Sequence, residues 1–135
     1  MKTQKIKILI ADDHAIFRDG LNLVLSTNNN YEVIGEANNG REVISLFNDN
    51  PADLILMDVT MQVAGGIDTA RQILQSKPDI KIIFLTMHDD ENTYKDAMST
   101  GAHGYVLKKS GRDILYDAID KVMNGGIFTL DENYL

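Results

Sequence analysis

The 135-residue sequence contains no cysteine, no tryptophan and only two prolines. Without cysteine there can be neither a disulfide framework nor a thiolate metal site. That absence fits a reducing compartment, and the chain is expected to work in the cytoplasm. Basic residues are also scarce. Thirteen lysines and arginines face 20 acidic residues, giving a net charge of −7. Such a surface repels phosphate backbones, and Lys108-Lys109 is the only adjacent basic pair, so the chain alone is not read as a nucleic-acid binder. Long hydrophobic runs are missing too. No stretch approaches the roughly 18 apolar residues of a transmembrane helix, and no membrane partner is expected. The basic start Met1-Lys2-Thr3-Gln4-Lys5 leads into an apolar run broken by Lys7 and then into Asp12-Asp13, which argues against a secretory signal.

What is present suits a core-forming domain: 44% hydrophobic and 24% charged residues, in a length that fits one domain. Short apolar runs recur at Ile6–Ile10, within Asp53–Met57 and at Ile80–Leu85, with weaker ones at Glu32–Gly35 and Gly104–Leu107. Unbroken apolar strands bounded by turns imply burial on both faces, as in a parallel sheet. Between them the period shifts toward 3.6. Phe17, Leu21, Val24 and Leu25 share a helical face, as do Val43, Ile44 and Phe47. Ile67, Ala70 and Leu74 form the third set, and Tyr94, Ala97 and Met98 the fourth. The fifth set is Leu115, Ala118, Ile119, Val122 and Met123. Pro78, Gly101 and Gly125-Gly126 supply helix stops. The pattern predicts five β-α units, hence a doubly wound α/β parallel sheet with helices on both faces.

In such sheets ligands bind beyond the carboxyl ends of the strands. The residues at those ends are Asp12 and Asp13 after the first strand, Asp58 after the third, Thr86 after the fourth and Lys108 after the fifth. Singly, each has an ordinary explanation as a helix cap, a turn residue or a solvated charge. Together, three carboxylates, a hydroxyl and an ammonium would meet on one rim. Carboxylates held close raise one another's pKa, and a hard divalent cation relieves the repulsion. Oxygen-only ligands favour Mg²⁺. A carboxylate at such a centre can act as nucleophile toward phosphorus, with Lys108 neutralising phosphoryl oxygens and the Thr86 hydroxyl donating to one. His14 is read as a neighbour of this site or a surface group, His88 and His103 as solvated loop residues, and the methionines as core filler.

These residues also carry a resemblance. Ile8-Leu-Ile-Ala-Asp-Asp-His14, Phe17-Arg-Asp-Gly-Leu21, Asp53-Leu-Ile-Leu-Met-Asp58, Phe84-Leu-Thr-Met87 and Gly101-Ala-His-Gly-Tyr-Val-Leu-Lys108 resemble the motifs of the receiver domain of bacterial two-component response regulators. Arg112–Ile119 and the following Gly125-Gly126 are similar to its NarL/FixJ subfamily. The resemblance implies a flavodoxin-like sheet of order 2-1-3-4-5 and a receiver over residues 1–128, with 129–135 opening a linker. It implies Asp58 as phospho-acceptor and Asp12, Asp13, Asp58 and the Thr60 carbonyl as Mg²⁺ ligands. Lys108 would be the catalytic phosphate partner, and Thr86 and Tyr105 the switch pair. The implied donor is a sensor histidine kinase or phosphotransfer protein. Phosphorylation would favour a homodimer, and DNA would be reached only through a C-terminal domain absent from this chain. Modified stoichiometrically, such a domain is not an enzyme.

Two positions depart from the family pattern. Gln62 replaces a usual proline, which frees the loop after Asp58. Met87 replaces a usual small residue, which places bulk beside the site. A pseudo-receiver would lack one of the key side chains, and all are present. An aspartyl-phosphate hydrolase would want a second aspartate where Thr60 stands. A flavin or nucleotide carrier would need a glycine-rich phosphate loop where Asp12-Asp13-His14 stands.

Overall fold

A computed structural model describes residues 4–129. Its strands are β1 (Ile6–Ala11), β2 (Tyr31–Ala37), β3 (Leu54–Met57), β4 (Lys81–Thr86) and β5 (Gly104–Leu107). Its helices are α1 (Ala15–Ser26), α2 (Gly40–Asp49), α3 (Gly66–Ser76), α4 (Glu91–Met98) and α5 (Arg112–Met123), with a 3-10 turn at Lys108–Ser110. The strands form one parallel sheet in the order β2-β1-β3-β4-β5. This is the expected flavodoxin-like winding, which reverses direction between β1 and β3.

The uninterrupted apolar strands are explained by two cores. Leu9, Ala11, Ile55, Met57, Ile82, Phe84 and Tyr105 pack against α2, α3 and α4. Their alternates Ile8, Ile10, Leu54, Leu56, Ile83 and Val106 pack against Leu21 and Leu25 of α1 and Leu115, Ala118, Ile119 and Val122 of α5. A strand with both faces covered has no reason to alternate polar and apolar residues.

Departures from the expected elements have local causes. β2 is longer than Glu32–Gly35, because this edge strand alternates only partly. It also bulges: the partner register jumps from Ile8–Val33 to Leu9–Gly35. An extra residue in one strand shifts the side-chain phase and blurs the period. A Cβ at Gly35 would sit 2.9 Å from Leu9 Cδ2, so the glycine lets the strands close up. In α3 the deepest apolar side chains are Ala70 and Ile73, with Ile67 and Leu74 only partly covered. The methionine expectation needs correction at Met87, which is 73% exposed. His103 is not a solvated loop residue. Its Nδ1 accepts the Ile82 N–H at 3.2 Å, and burial followed by the charge of Lys81 pushes its pKa down.

After α5 the chain turns through Gly125 and Gly126 and returns to the sheet. Phe128 bridges to Gly104 in parallel. The Tyr105 N–H donates to the Phe128 carbonyl at 3.0 Å, and the Phe128 N–H to the His103 carbonyl at 2.9 Å. Of the expected linker at 129–135, Thr129 is described and residues 130–135 lie outside the described residues.

Candidate functional site

The ladder delivers the acidic residues to one rim. The Asp12 N–H donates to the Ala37 carbonyl at 3.0 Å and the Asp58 N–H to the Ala11 carbonyl at 2.9 Å, so each aspartate leaves its strand with its backbone still paired. Their neighbours on the central strands are buried apolar residues, and the two carboxylates are themselves nearly sealed: Asp12 is 2% and Asp58 3% exposed. Burial raises the Asp58 pKa, nearby Lys108 lowers it, and nearby Asp12 raises it, with a net upward displacement.

Lys108 starts the 3-10 turn after β5 and points back across the rim. Its Nζ lies 2.7 Å from Asp12 Oδ2 and 3.2 Å from Asp58 Oδ2. The ammonium also sits 4.4 Å from the centroid of the Phe17 ring on α1, a cation–π contact that fixes it from the far side. The Thr60 amide donates to Asp58 Oδ1 at 3.3 Å. The Arg18 guanidinium donates to the Asp12 carbonyl at 2.6 Å and engages Glu36 at 3.2 Å, bracing the β1–α1 corner.

Helix α3 begins directly beneath Asp58 because residue 66 has no side chain. A Cβ there would fall 1.9 Å from the Asp58 carbonyl oxygen, while the Gly66 N–H donates to the Val59 carbonyl at 2.8 Å. The intervening loop folds tightly. The Ala64 N–H donates to the Gln62 carbonyl at 2.8 Å, and Val63 between them has φ of 72°. This is a γ-turn, a strained geometry for a β-branched residue.

Thr86 ends β4 fully buried, its Oγ1 accepting the His88 N–H at 3.2 Å. Tyr105 is also fully buried. Its hydroxyl donates to the His88 carbonyl at 2.9 Å, and its ring meets Tyr94 of α4 edge-on with centroids 5.1 Å apart. Burial, then the charges of Asp90, Asp58 and Asp89, hold its pKa far above the usual phenol range. The β4–α4 loop therefore bonds through His88 to both Thr86 and Tyr105.

Two contacts escaped the sequence reading. His88 is not simply solvated: its Nε2 is 2.6 Å from Thr60 Oγ1, joining the loops after β3 and β4. His14 lies within the acidic cluster. Its Nδ1 is 3.2 Å from Asp12 Oδ1, 3.5 Å from Asp13 Oδ1 and 3.8 Å from Asp58 Oδ2. A signal existed, since His14 holds the N-cap of α1, where Ser, Thr, Asp or Asn is usual. Met87 lines a hollow with His14, Phe17, Thr86 and Lys108, beside the cluster as expected.

The donor set fits a divalent cation. One ligand atom from each of Asp12, Asp13, His14 and Asp58 lies within 4.8 Å of all the others. Asp13 Oδ1 is a buried oxygen with no hydrogen-bond partner. An orphaned carboxylate oxygen facing two other carboxylates has negative charge without compensation, which a cation would supply.

Comparison with known proteins gives concordant matches. The family model for the response regulator receiver domain matches residues 8–120. The transcriptional regulatory protein DegU of Brevibacillus brevis is 36% identical over 124 residues, covering 92% of this chain and 52% of that protein. The chain thus spans about half the length of the curated relatives it matches. A LuxR-family two-component response regulator from Aurantimonas superposes with a TM-score of 0.89 at 30% identity, covering 97% of this chain and 93% of that one. The signal receiver domain of the putative response regulator NarL from Mycobacterium tuberculosis gives 0.86 at 27% identity, over 91% of this chain and 99% of that one.

Proposed function

The chain belongs to the response regulator receiver family, and from that premise we propose that Asp58 is its phospho-acceptor, served by a sensor histidine kinase or a phosphotransfer protein. The observation that carries this reading is the nearly buried Lys108 ammonium, held 2.7 Å from Asp12 and 3.2 Å from Asp58, two nearly buried carboxylates. Asp58 is sited for nucleophilic attack at the carboxyl end of a central strand, and Lys108 is sited for the oxygens of the incoming group. An Asp58 oxygen bonds to phosphorus, the phosphorus–nitrogen bond of the donor phosphohistidine breaks, and the leaving imidazole nitrogen takes that electron pair and a proton from solvent.

Asp12, Asp13, Asp58 and the Thr60 carbonyl would hold Mg²⁺, which when bound neutralises oxygens of the transferring group. The chain's own residues do the remainder. Lys108 balances charge, and buried Thr86 supplies a hydroxyl. Movement of that hydroxyl toward the phosphoryl group would give up its bond from the His88 N–H. The same loop accepts the Tyr105 hydroxyl, so one change at Thr86 reaches Tyr105 and α4. Phosphorylation biases this two-state element rather than turning over substrate.

Residues 1–128 form the receiver in this reading, and 129–135 open a linker. The relatives are transcriptional regulators about twice as long, which supports a cytoplasmic role in gene control. DNA would be bound through a C-terminal domain outside this sequence, with a homodimer favoured by phosphorylation. The test is incubation with acetyl phosphate, with and without Mg²⁺, and intact-mass measurement. A gain of one phosphoryl group that needs Mg²⁺ and is absent in Asp58→Ala is expected. No gain in the unaltered chain, from acetyl phosphate or a cognate kinase, would favour the rival reading of a pseudo-receiver that acts by contact alone.

A further inference from the structure

We infer that His14 supplies a nitrogen donor to the divalent-cation site and shifts its preference toward transition ions such as Ni²⁺ and Co²⁺, relative to a site built from carboxylates alone. The inference rests on the reading of Asp12, Asp13 and Asp58 as cation-holding residues and adds a property of that site. It reverses the oxygen-only ligation expected from the sequence.

The backbone explains why the ring is there. His14 caps α1 in extended geometry, yet its side chain makes no capping bond. Its own N–H is satisfied by Asp12 Oδ1 at 2.8 Å. The ring, released from any structural duty at the helix end, turns over the acids. Its side chain is 61% exposed, so no packing prevents small adjustments toward an ion.

The distances suit coordination. Donors about 2.1 Å from an octahedral ion stand about 3.0 Å apart when adjacent and 4.2 Å when opposite. The His14 Nδ1 separations from Asp12, Asp13 and Asp58, at 3.2, 3.5 and 3.8 Å, all fall in that interval. Nδ1 also faces two incompatible partners. The Lys108 ammonium at 3.3 Å requires its lone pair, whereas Asp12 Oδ1 at 3.2 Å requires a proton on it. One tautomer cannot serve both. An ion between the acids and the ring would use the lone pair of the tautomer protonated at Nε2, and would compensate the orphaned Asp13 Oδ1 as well. Imidazole adds little to the binding of hard Mg²⁺ but much to that of Ni²⁺, Co²⁺ or Zn²⁺.

The experiment measures Ni²⁺ and Mg²⁺ affinity calorimetrically for the 135-residue chain and for His14→Ala, His14→Gln and Asp58→Ala. Pulsed electron paramagnetic resonance of bound Mn²⁺ serves as a second readout. The expected result is a loss of about tenfold or more in Ni²⁺ affinity in both His14 variants, with Mg²⁺ affinity changed less than about threefold. Nitrogen hyperfine coupling to Mn²⁺ should appear in the unaltered chain and vanish in His14→Ala. Binding that depends on Asp58 but has the same Ni²⁺-to-Mg²⁺ ratio without His14 would overturn the inference and leave the cation site standing. Binding indifferent to Asp58 would overturn the site itself.

Discussion

Replacing Gly66 by alanine should damage the domain far more than a single methyl group suggests. The added Cβ would lie 1.9 Å from the Asp58 carbonyl oxygen, 2.9 Å from its carbonyl carbon and 3.1 Å from Val59 Cα. All three are backbone atoms, so no side-chain rotation relieves the clash. The start of α3 and the end of β3 must separate by about 1 Å or more, an overpacking strain of about 1–3 kcal/mol. The Gly66–Val59 hydrogen bond is strained or lost with it, at about 1 kcal/mol. For a chain of 135 residues, a combined loss near 3 kcal/mol lowers Tm by about 10 °C. Gly20 is the control. It lies inside α1 with nothing within 4 Å of its missing Cβ, so Gly20→Ala should gain about 0.5–1 kcal/mol from helix propensity and raise Tm by about 2–4 °C. Thermal melts followed by far-ultraviolet circular dichroism distinguish the two. A Gly66→Ala melt within about 2 °C of the unaltered chain would refute the argument that this close approach positions Asp58.

Asp58→Asn should raise Tm at neutral pH. The folded-state pKa of Asp58 is displaced upward from 3.8, first by burial. Its stabilising contribution is therefore present below 3.8 and lost as pH rises through the folded value, so the ionised group destabilises the domain at neutrality. The advantage of Asn should shrink in melts below pH 3.8, and an advantage independent of pH would count against this. Tyr105→Phe removes the hydroxyl bonded to the His88 carbonyl and should cost about 1 kcal/mol, measured by urea denaturation; a change within a few tenths would show that the bond does not hold the β4–α4 loop. Val63→Gly should be neutral or stabilising by up to about 1 kcal/mol, because relief at φ of 72° offsets the added freedom of the unfolded chain. A loss above about 1 kcal/mol would mean that the exposed Val63 side chain makes contacts worth more than its strain.

The parts of the fold that were legible had redundant signals. β1, β3 and β4 are apolar along their length because both faces are covered, and short buried runs between helical periods have few other solutions. Asp12, Asp13, Asp58, Thr86 and Lys108 could be picked out because each directly follows or ends such a run. β2 was blurred by its bulge at Gly35, a backbone event with no side-chain period. His103 was misjudged, and the contacts of His14 and His88 were missed, for a related reason. Exposure and partnership of a histidine depend on which loops meet, and neither the Thr60–His88 contact nor the His103–Ile82 bond has a sequence period. Gly65-Gly66 held the clue to the close approach of α3, but a glycine pair announces a turn without saying what it must pass.

The return of the chain to β5 bears on solubility. An open parallel sheet ends in two rows of unpaired amides and carbonyls, which are templates for pairing with another molecule. On the β2 side, exposed Glu32 and Glu36 place like charges where a second copy would have to dock. On the β5 side, the Phe128 carbonyl accepts the Tyr105 N–H and the Phe128 N–H donates to the His103 carbonyl, so that edge is partly closed from within. A chain shortened before Ile127 would bare the edge of a strand whose residues are all buried, exposing an apolar template for aggregation next to Tyr105.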